Sequence, residues 1–139
     1  PNRLRENPMQ DDFSKIMTIS ASGMRAQGQR LKAAAENLAN VDSPDYRRKQ
    51  VYFREAVDRQ NDLTAVEVSR ISRDQSPLRR TYEPGHPLAD ADGYVTFSNV
   101  NAIIEMMDMK EAERSFSAGL RAFDQARDMF MRTLDLLRR

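Results

Sequence analysis

The chain has 139 residues, 40% of them hydrophobic but only 7% aromatic and 31% charged, which is one domain's length with too few large side chains for a thick globular core. The formal net charge is +1, and it is spread evenly: 6 basic against 4 acidic groups over residues 1–40, 9 against 10 over 41–98, and 7 against 7 over 99–139. No segment builds the one-signed field that nucleic acid or an anionic membrane selects, and the absence of cysteine removes disulfides, thiolate zinc sites and thiol nucleophiles.

Residues 1–10 are polar and carry Pro1 and Pro8, so a flexible N-terminal segment is expected there. Arg3, Arg5, Glu6, Asp11 and Asp12 interrupt any apolar run ahead of a cleavage site, and a Sec-type leader is not expected. A helix is predicted over 11–40. Asp11 or Asp12 would accept from its orphan N–H groups, Asn40 would serve as a left-handed cap, and Pro44 would block continuation. At 1.5 Å per residue, a helix of roughly 27 residues spans about 40 Å. Along it Met17, Ala21, Met24, Gly28, Leu31, Ala35 and Leu38 alternate in steps of four and three, the a/d spacing of a coiled-coil seam. Ala21, Gly28 and Ala35 make one side of that seam small enough for a partner helix to approach closely. Gly23 and Gly28 each cost about 1 kcal/mol of helix propensity relative to Ala, so close packing is expected to offset them. A second stripe of Ile19, Ala26 and Ala33 lies off the first, and in a two-helix hairpin it is expected to stay wet.

The texture changes over 41–98. QVYF at 50–53, LTAVEVSRI at 63–71, LRRTY at 78–82 and GYVTF at 93–97 read as short strands, punctuated by Pro77, Pro84, Gly85, Pro87 and Gly93. Two to four strands in a small extended β and loop region are expected; an independent sheet domain is not.

The last segment, 99–139, predicts a second long helix capped by Asn99 or Asn101 and running to about Leu137. Its apolar stripe is Met106, Met109, Phe116, Leu120, Phe123, Phe130, Leu134 and Leu137. Glu113 and Arg127 interrupt it, either at the seam's edge or where charges of another subunit meet them. Asp128 with Arg132 and Asp135 with Arg139 have favourable i, i+4 order. The fold class that follows is mainly α: long N- and C-terminal helices forming an antiparallel coiled coil, with the β and loop region between them. The two terminal segments form one coiled-coil domain.

Residues that carry chemistry are sparse. His86, the only histidine, lies between Gly85 and Pro87 in a loop with no nucleophile motif or phosphate loop beside it. Asp90, Asp92 and Gly93 resemble half of a calcium loop without its later acidic ligands, so a turn is expected. Met106, Met107 and Met109 read as fillers of an irregular seam. Arg47, Arg48 and Lys49 beside Tyr46, Tyr52 and Phe53 offer phosphate and stacking groups for a small nucleic-acid module, the alternative from another class, but Asp42 and Asp45 offset them. No catalytic, metal-ligating or cofactor-binding residue is assigned, and no cofactor is expected. No stretch approaches the roughly 20 apolar residues that span a bilayer, so direct membrane insertion is not expected either.

The run from Ala34 to Phe53 resembles the signature of the flagellar basal-body rod and hook family: a helix ending in Asn-Leu-Ala-Asn, then a Thr/Ser-Pro-Gly-Tyr turn and basic residues. Here these are Asn37, Leu38, Ala39, Asn40, Ser43, Pro44 and Tyr46, with Arg47 and Arg48. SASGMRAQGQRL at 20–31 is similar to the same family, and YEPGHPLADADGYV at 82–95 resembles its proximal-rod branch. The chain departs from the pattern at Asp45, where Gly is usual, at Ser98, where Pro is common, and at Gly119, where Asn is common.

The resemblance implies a structural subunit, not an enzyme, of the rod that crosses the periplasm, polymerising helically to transmit torque. Its implied partners are copies of itself and other rod proteins, ring and adaptor proteins at the rod base, and the flagellar type III export apparatus, which would export it without a cleavable signal peptide. Phe13 and Met17 match the family's export signal, a Phe followed four residues later by an apolar residue.

Overall fold

The computed structural model describes residues 8–138, in which two long helices flank four short strands. Helix α1 spans Pro8–Ala39 and α2 spans Ala102–Leu137. The expected flexible segment 1–10 overlaps α1 at residues 8–10, and the rest of it lies outside the described residues. Proline suits a helix's first turn because that N–H has no intrahelical partner and the ring presets φ. Asp11 is therefore inside the helix, paired with Lys15 at 3.3 Å, and is not its cap.

At the other end, Asn40 does not take the left-handed conformation expected of it. Its N–H donates to the carbonyls of Glu36 and Asn37, both at 3.1 Å, and its Nδ2 donates to Glu36 O at 2.8 Å, so the side chain itself caps the last turn. Left-handed backbone falls instead at Asp45, with φ of 57°.

Strands β1 (Lys49–Asp58) and β2 (Leu63–Arg73) form an antiparallel hairpin from Lys49 opposite Arg73 to Asp58 opposite Leu63. A bulge leaves Ser69 unpaired, and its hydroxyl donates to Tyr52 O at 3.1 Å. Strands β3 (Arg80–Tyr82) and β4 (Tyr94–Thr96) make a separate two-stranded ladder. The loop joining them is held by Asp90, which accepts from the N–H groups of Asp92 and Tyr94, each at 2.9 Å. Gly93 has φ of 85°, and a Cβ there would stand 2.8 Å from the Tyr82 ring, so this turn requires glycine.

Asn101 caps α2, accepting from the N–H groups of Ile103 and Ile104. The helices run antiparallel, as three contacts show in order. Phe13 meets Phe130 edge-on at 6.0 Å between ring centroids, Gly119 faces Met24 and the carbonyl of Ser20, and Arg30 reaches Asp108 and Glu111. The core is as thin as the composition implies: Ala26, Ala33 and Ala34 of α1, Ala112 and Ala126 of α2, and Val95, Phe97 and Val100 where the chain enters α2.

Candidate functional site

The seam read from the sequence is rotated relative to the one that forms. On α1 the buried positions are Ser22, Ala26, Ala33, Ala34 and Asn37, so the stripe expected to stay wet is exposed at Ile19 but buried at Ala26 and Ala33. Met17, Ala21, Met24, Gly28, Leu31 and Leu38 are half-buried and Ala35 is exposed. The physical reason is that α1 serves two partners. The β1–β2 hairpin lies along it, with the Val66 N–H donating to Ser22 Oγ at 3.3 Å, and Ala33 lines clefts with Lys49, Val51 and Ile71. The buried face must therefore turn toward both the hairpin and α2.

On α2 the buried line is Glu105, Ala112 and Ala126, with half-buried Gly119 on the same heptad. Met109, Phe123, Phe130 and Leu134 flank it half-buried, whereas Met106, Phe116, Leu120 and Leu137 are exposed. The close helix contact belongs to Gly119, where a Cβ would lie 2.9 Å from Met24 Cγ; at Gly28 an added Cβ meets nothing within 4 Å. Of the anticipated ion pairs on this helix, Asp128 pairs with Arg127 at 3.8 Å in place of Arg132, and Arg139 lies outside the described residues.

The motif residues form a joint beneath the helix pair. Asn37 is buried and acts like a strand edge: Nδ2 donates to Lys49 O at 2.9 Å, and Oδ1 accepts from Lys49 N at 2.8 Å and from the Tyr46 hydroxyl at 2.9 Å. Ser43 donates to Asn40 Oδ1 at 3.0 Å, tying the turn to the helix end. Leu38 is half-buried, and Ala39 and Pro44 are exposed. Phe13 and Met17 are both half-buried on α1, Phe13 against Phe130.

The basic residues considered for nucleic acid are engaged within the chain. Arg48 donates from Nε to Glu105 Oε1 at 2.8 Å and stands 3.6 Å from Asp74 and 3.8 Å from Asp108. Lys49 pairs with Glu36, and Arg47 donates to the carbonyls of Asp74 and Ser76. Burial opposes the charge on Arg48, but its hydrogen bond to Glu105 and the nearby carboxylates of Asp74 and Asp108 outweigh that and hold the guanidinium above its ordinary pKa. The hydroxyl and N–H of Ser76, with Arg48 behind them, hold Asp74 below its ordinary value. Asn99 does not cap α2; it accepts from Arg48 N at 2.8 Å and donates to Asp74 O and Ser76 O. Ser98 is buried, its hydroxyl donating to Val41 O.

The sequence marks Arg48 as a basic motif residue, Asn99 as a candidate cap and Ser98 as a departure from the family pattern, but not their part in this joint, and it assigns Glu105 no role. Glu105 carried a signal, since it begins the seven-residue line continued by Ala112, Gly119 and Ala126; a carboxylate on a small-residue seam needs a buried cation. The cleft between α1, β1 and α2, about 210 Å³, is lined by Arg30, Asn37, Arg48, Lys49, Glu105 and Asp108, whose polar groups pair with one another. Chemically the joint fixes three elements against one another, its polar groups committed to internal hydrogen bonds and ion pairs.

The sequence has counterparts in known proteins. Residues 17–47 match the family described as flagella basal body rod protein, and residues 91–136 match the C-terminal family of flagellar basal body rod FlgEFG proteins. The flagellar basal-body rod protein FlgC of Agrobacterium fabrum is 39% identical over 135 residues, 92% of this chain and 97% of its own. That of Salmonella typhimurium is 40% identical over 127 residues, 87% of this chain and 95% of its own, and that of Aquifex aeolicus is 38% identical over 131 residues, 89% and 96%.

Proposed function

The chain belongs to the FlgC family of flagellar basal-body rod proteins and is a structural subunit of that rod; from this premise we propose that it polymerises helically through its paired terminal helices and carries torque across the periplasm in the proximal rod. The paired helices act as one coiled-coil unit joined by the β and loop region. Its neighbours are copies of itself and other rod subunits, with ring and adaptor proteins at the rod base. Before assembly the type III apparatus exports it, Phe13 and Met17 serving as the export signal.

One observation carries this reading: large apolar side chains remain exposed along both helices, among them Ile16, Ile19, Ile103, Ile104, Phe116 and Leu120. Large apolar side chains left bare in this number mark interfaces, and a heterologous contact that does not close builds a filament. The half-exposed line of Met17, Ala21 and Gly28, with Phe116 across from it, is the face on which a neighbouring helix would approach closely.

Gly28→Leu tests this directly. Open space surrounds Gly28 in the subunit, so the variant is expected to fold with unchanged helicity yet fail to build rods and support swimming when it replaces the wild-type gene in its flagellated host. Rods built at wild-type efficiency would remove this face from the assembly.

A further inference from the structure

The β1–β2 hairpin is amphipathic in the unexpected sense. On one face, towards the hairpin tip, Phe53, Val57 and Val66 are all exposed, and β1 places Glu55 between Phe53 and Val57, opposite Val66. The other face carries the Arg54–Glu67 ion pair and the Arg70–Tyr52 stack. Solvent thus meets the apolar side, and Glu55 at its centre makes no ion pair among the described residues.

A second bare patch lies at the far end of α2. Asp108, which faces Arg48 and Arg30, begins a line of positions seven apart that ends in Ala122, Met129 and Leu136. This side of the helix pair, turned to the joint near Asp108, is therefore continued by Met129 and Leu136, which are 55% and 71% exposed. Between them on the helix surface sits Arg132, also exposed and in no ion pair among the described residues. The two patches are complementary: each is apolar around one uncommitted charge, and the charges are opposite. A single chain carries both, which suits a head-to-tail contact that repeats without closing.

Resting on the rod reading above, we propose that the outer face of this hairpin seats on the Met129–Leu136 end of α2 in a second copy of the chain, with Glu55 of one copy paired to Arg132 of the other. Both charges are solvent-exposed in the subunit, so reversing either leaves folding intact, which helicity checks.

The test is a charge swap in the native flagellated host. Glu55→Arg and Arg132→Glu are each expected to reduce hook-bearing basal bodies at least tenfold, and the double variant to restore them to within threefold of wild type. Because the chain has no cysteine, Val57→Cys and Met129→Cys can be co-expressed as single variants; a disulfide-linked dimer in isolated basal bodies is expected from the mixture and from neither alone. Wild-type rod numbers in both single-charge variants, failure of the double variant to recover, or cross-linking of either cysteine variant with itself would overturn the contact. If basal bodies lack the wild-type chain altogether, the rod reading fails with it; if they contain the chain without the cross-link, only this contact fails.

Discussion

Asn37 is the residue on which the turn after α1 depends. It supplies a donor and an acceptor to the backbone of Lys49 and a second acceptor interaction to Tyr46, doing for one residue what a neighbouring strand does for many. Asn37→Ala leaves a backbone N–H, a carbonyl and a phenol without partners in a buried place, and an unsatisfied buried group costs about 1 to 3 kcal/mol. The expected loss is about 3 kcal/mol, read as a lower denaturant midpoint at unchanged slope. Asp45 carries the opposite expectation. Its φ of 57° costs an L-residue about 1 kcal/mol that glycine avoids, so Asp45→Gly should raise the midpoint; a lower midpoint would mean its carboxylate contributes more than the turn demands. The sequence exposed this second point, since a glycine is usual there in the family pattern, but not the first. Nothing in the spacing of Asn37 and Lys49 announces that a side chain will stand in for a strand.

At the scale of elements, periodicity located both helices and all four strands, because each signal is local: heptads for α1 and α2, β-branched and aromatic runs for the strands. The rotation of α1 was not legible for a physical reason. Met17 through Leu38 form the greasier stripe, yet Ala26 and Ala33 are buried, because the hairpin that follows α1 in the chain folds back along that side. Small side chains admit a close neighbour without advertising themselves as core. The Arg48–Glu105 pair was equally hidden, its partners standing 57 residues apart. Removing one partner of such a pair leaves a buried charge and costs about 3 to 5 kcal/mol, whereas an apolar pair of similar volume is often neutral. Arg48→Met is therefore expected to be strongly destabilising, and Arg48→Met with Glu105→Leu to recover most of the loss. The joint, the hairpin tip and the β3–β4 loop are also acid-sensitive. Asp74, Glu36, Asp58 and Asp90 all have carboxyl pKa values below their ordinary ones. A depressed folded-state pKa gives stability that is complete above the unfolded value, near 4 for a carboxylate, and is lost as pH falls through the lower folded value. Unfolding free energy should thus be flat from pH 7 to about 5 and fall modestly below about 4, solvent screening these exposed groups; Ser76→Ala, which removes the hydroxyl holding Asp74, should make that fall shallower.

For the whole molecule, the balance between covered and bare surface decides how it behaves before assembly. The buried apolar side chains are mostly alanines, while Ile16, Ile19, Met129, Leu136 and Leu137 at the free end of the helix pair stay exposed. Away from the joint, the helices meet through the Phe13–Phe130 edge contact, the Gly119–Met24 approach and small buried side chains such as Ala26 and Ala126. Helices draw most of their stability from burying one face, so the end of the pair remote from the joint should open first and the joint last. In dilute solution, amide exchange is expected to be fast over residues 8–21 and 123–137, and slow around Asn37, Val95 and Ala112. Helicity should rise when the chain enters a rod, since neighbours then cover the bare faces and ordering is offset by burial at that moment. This ordering of stabilities also suits a subunit that must pass through an export channel before it polymerises, because a thin core is easily opened. Uniformly slow exchange across both helices in a dilute monomer, together with resistance to protease, would show a self-sufficient fold and separate folding from assembly.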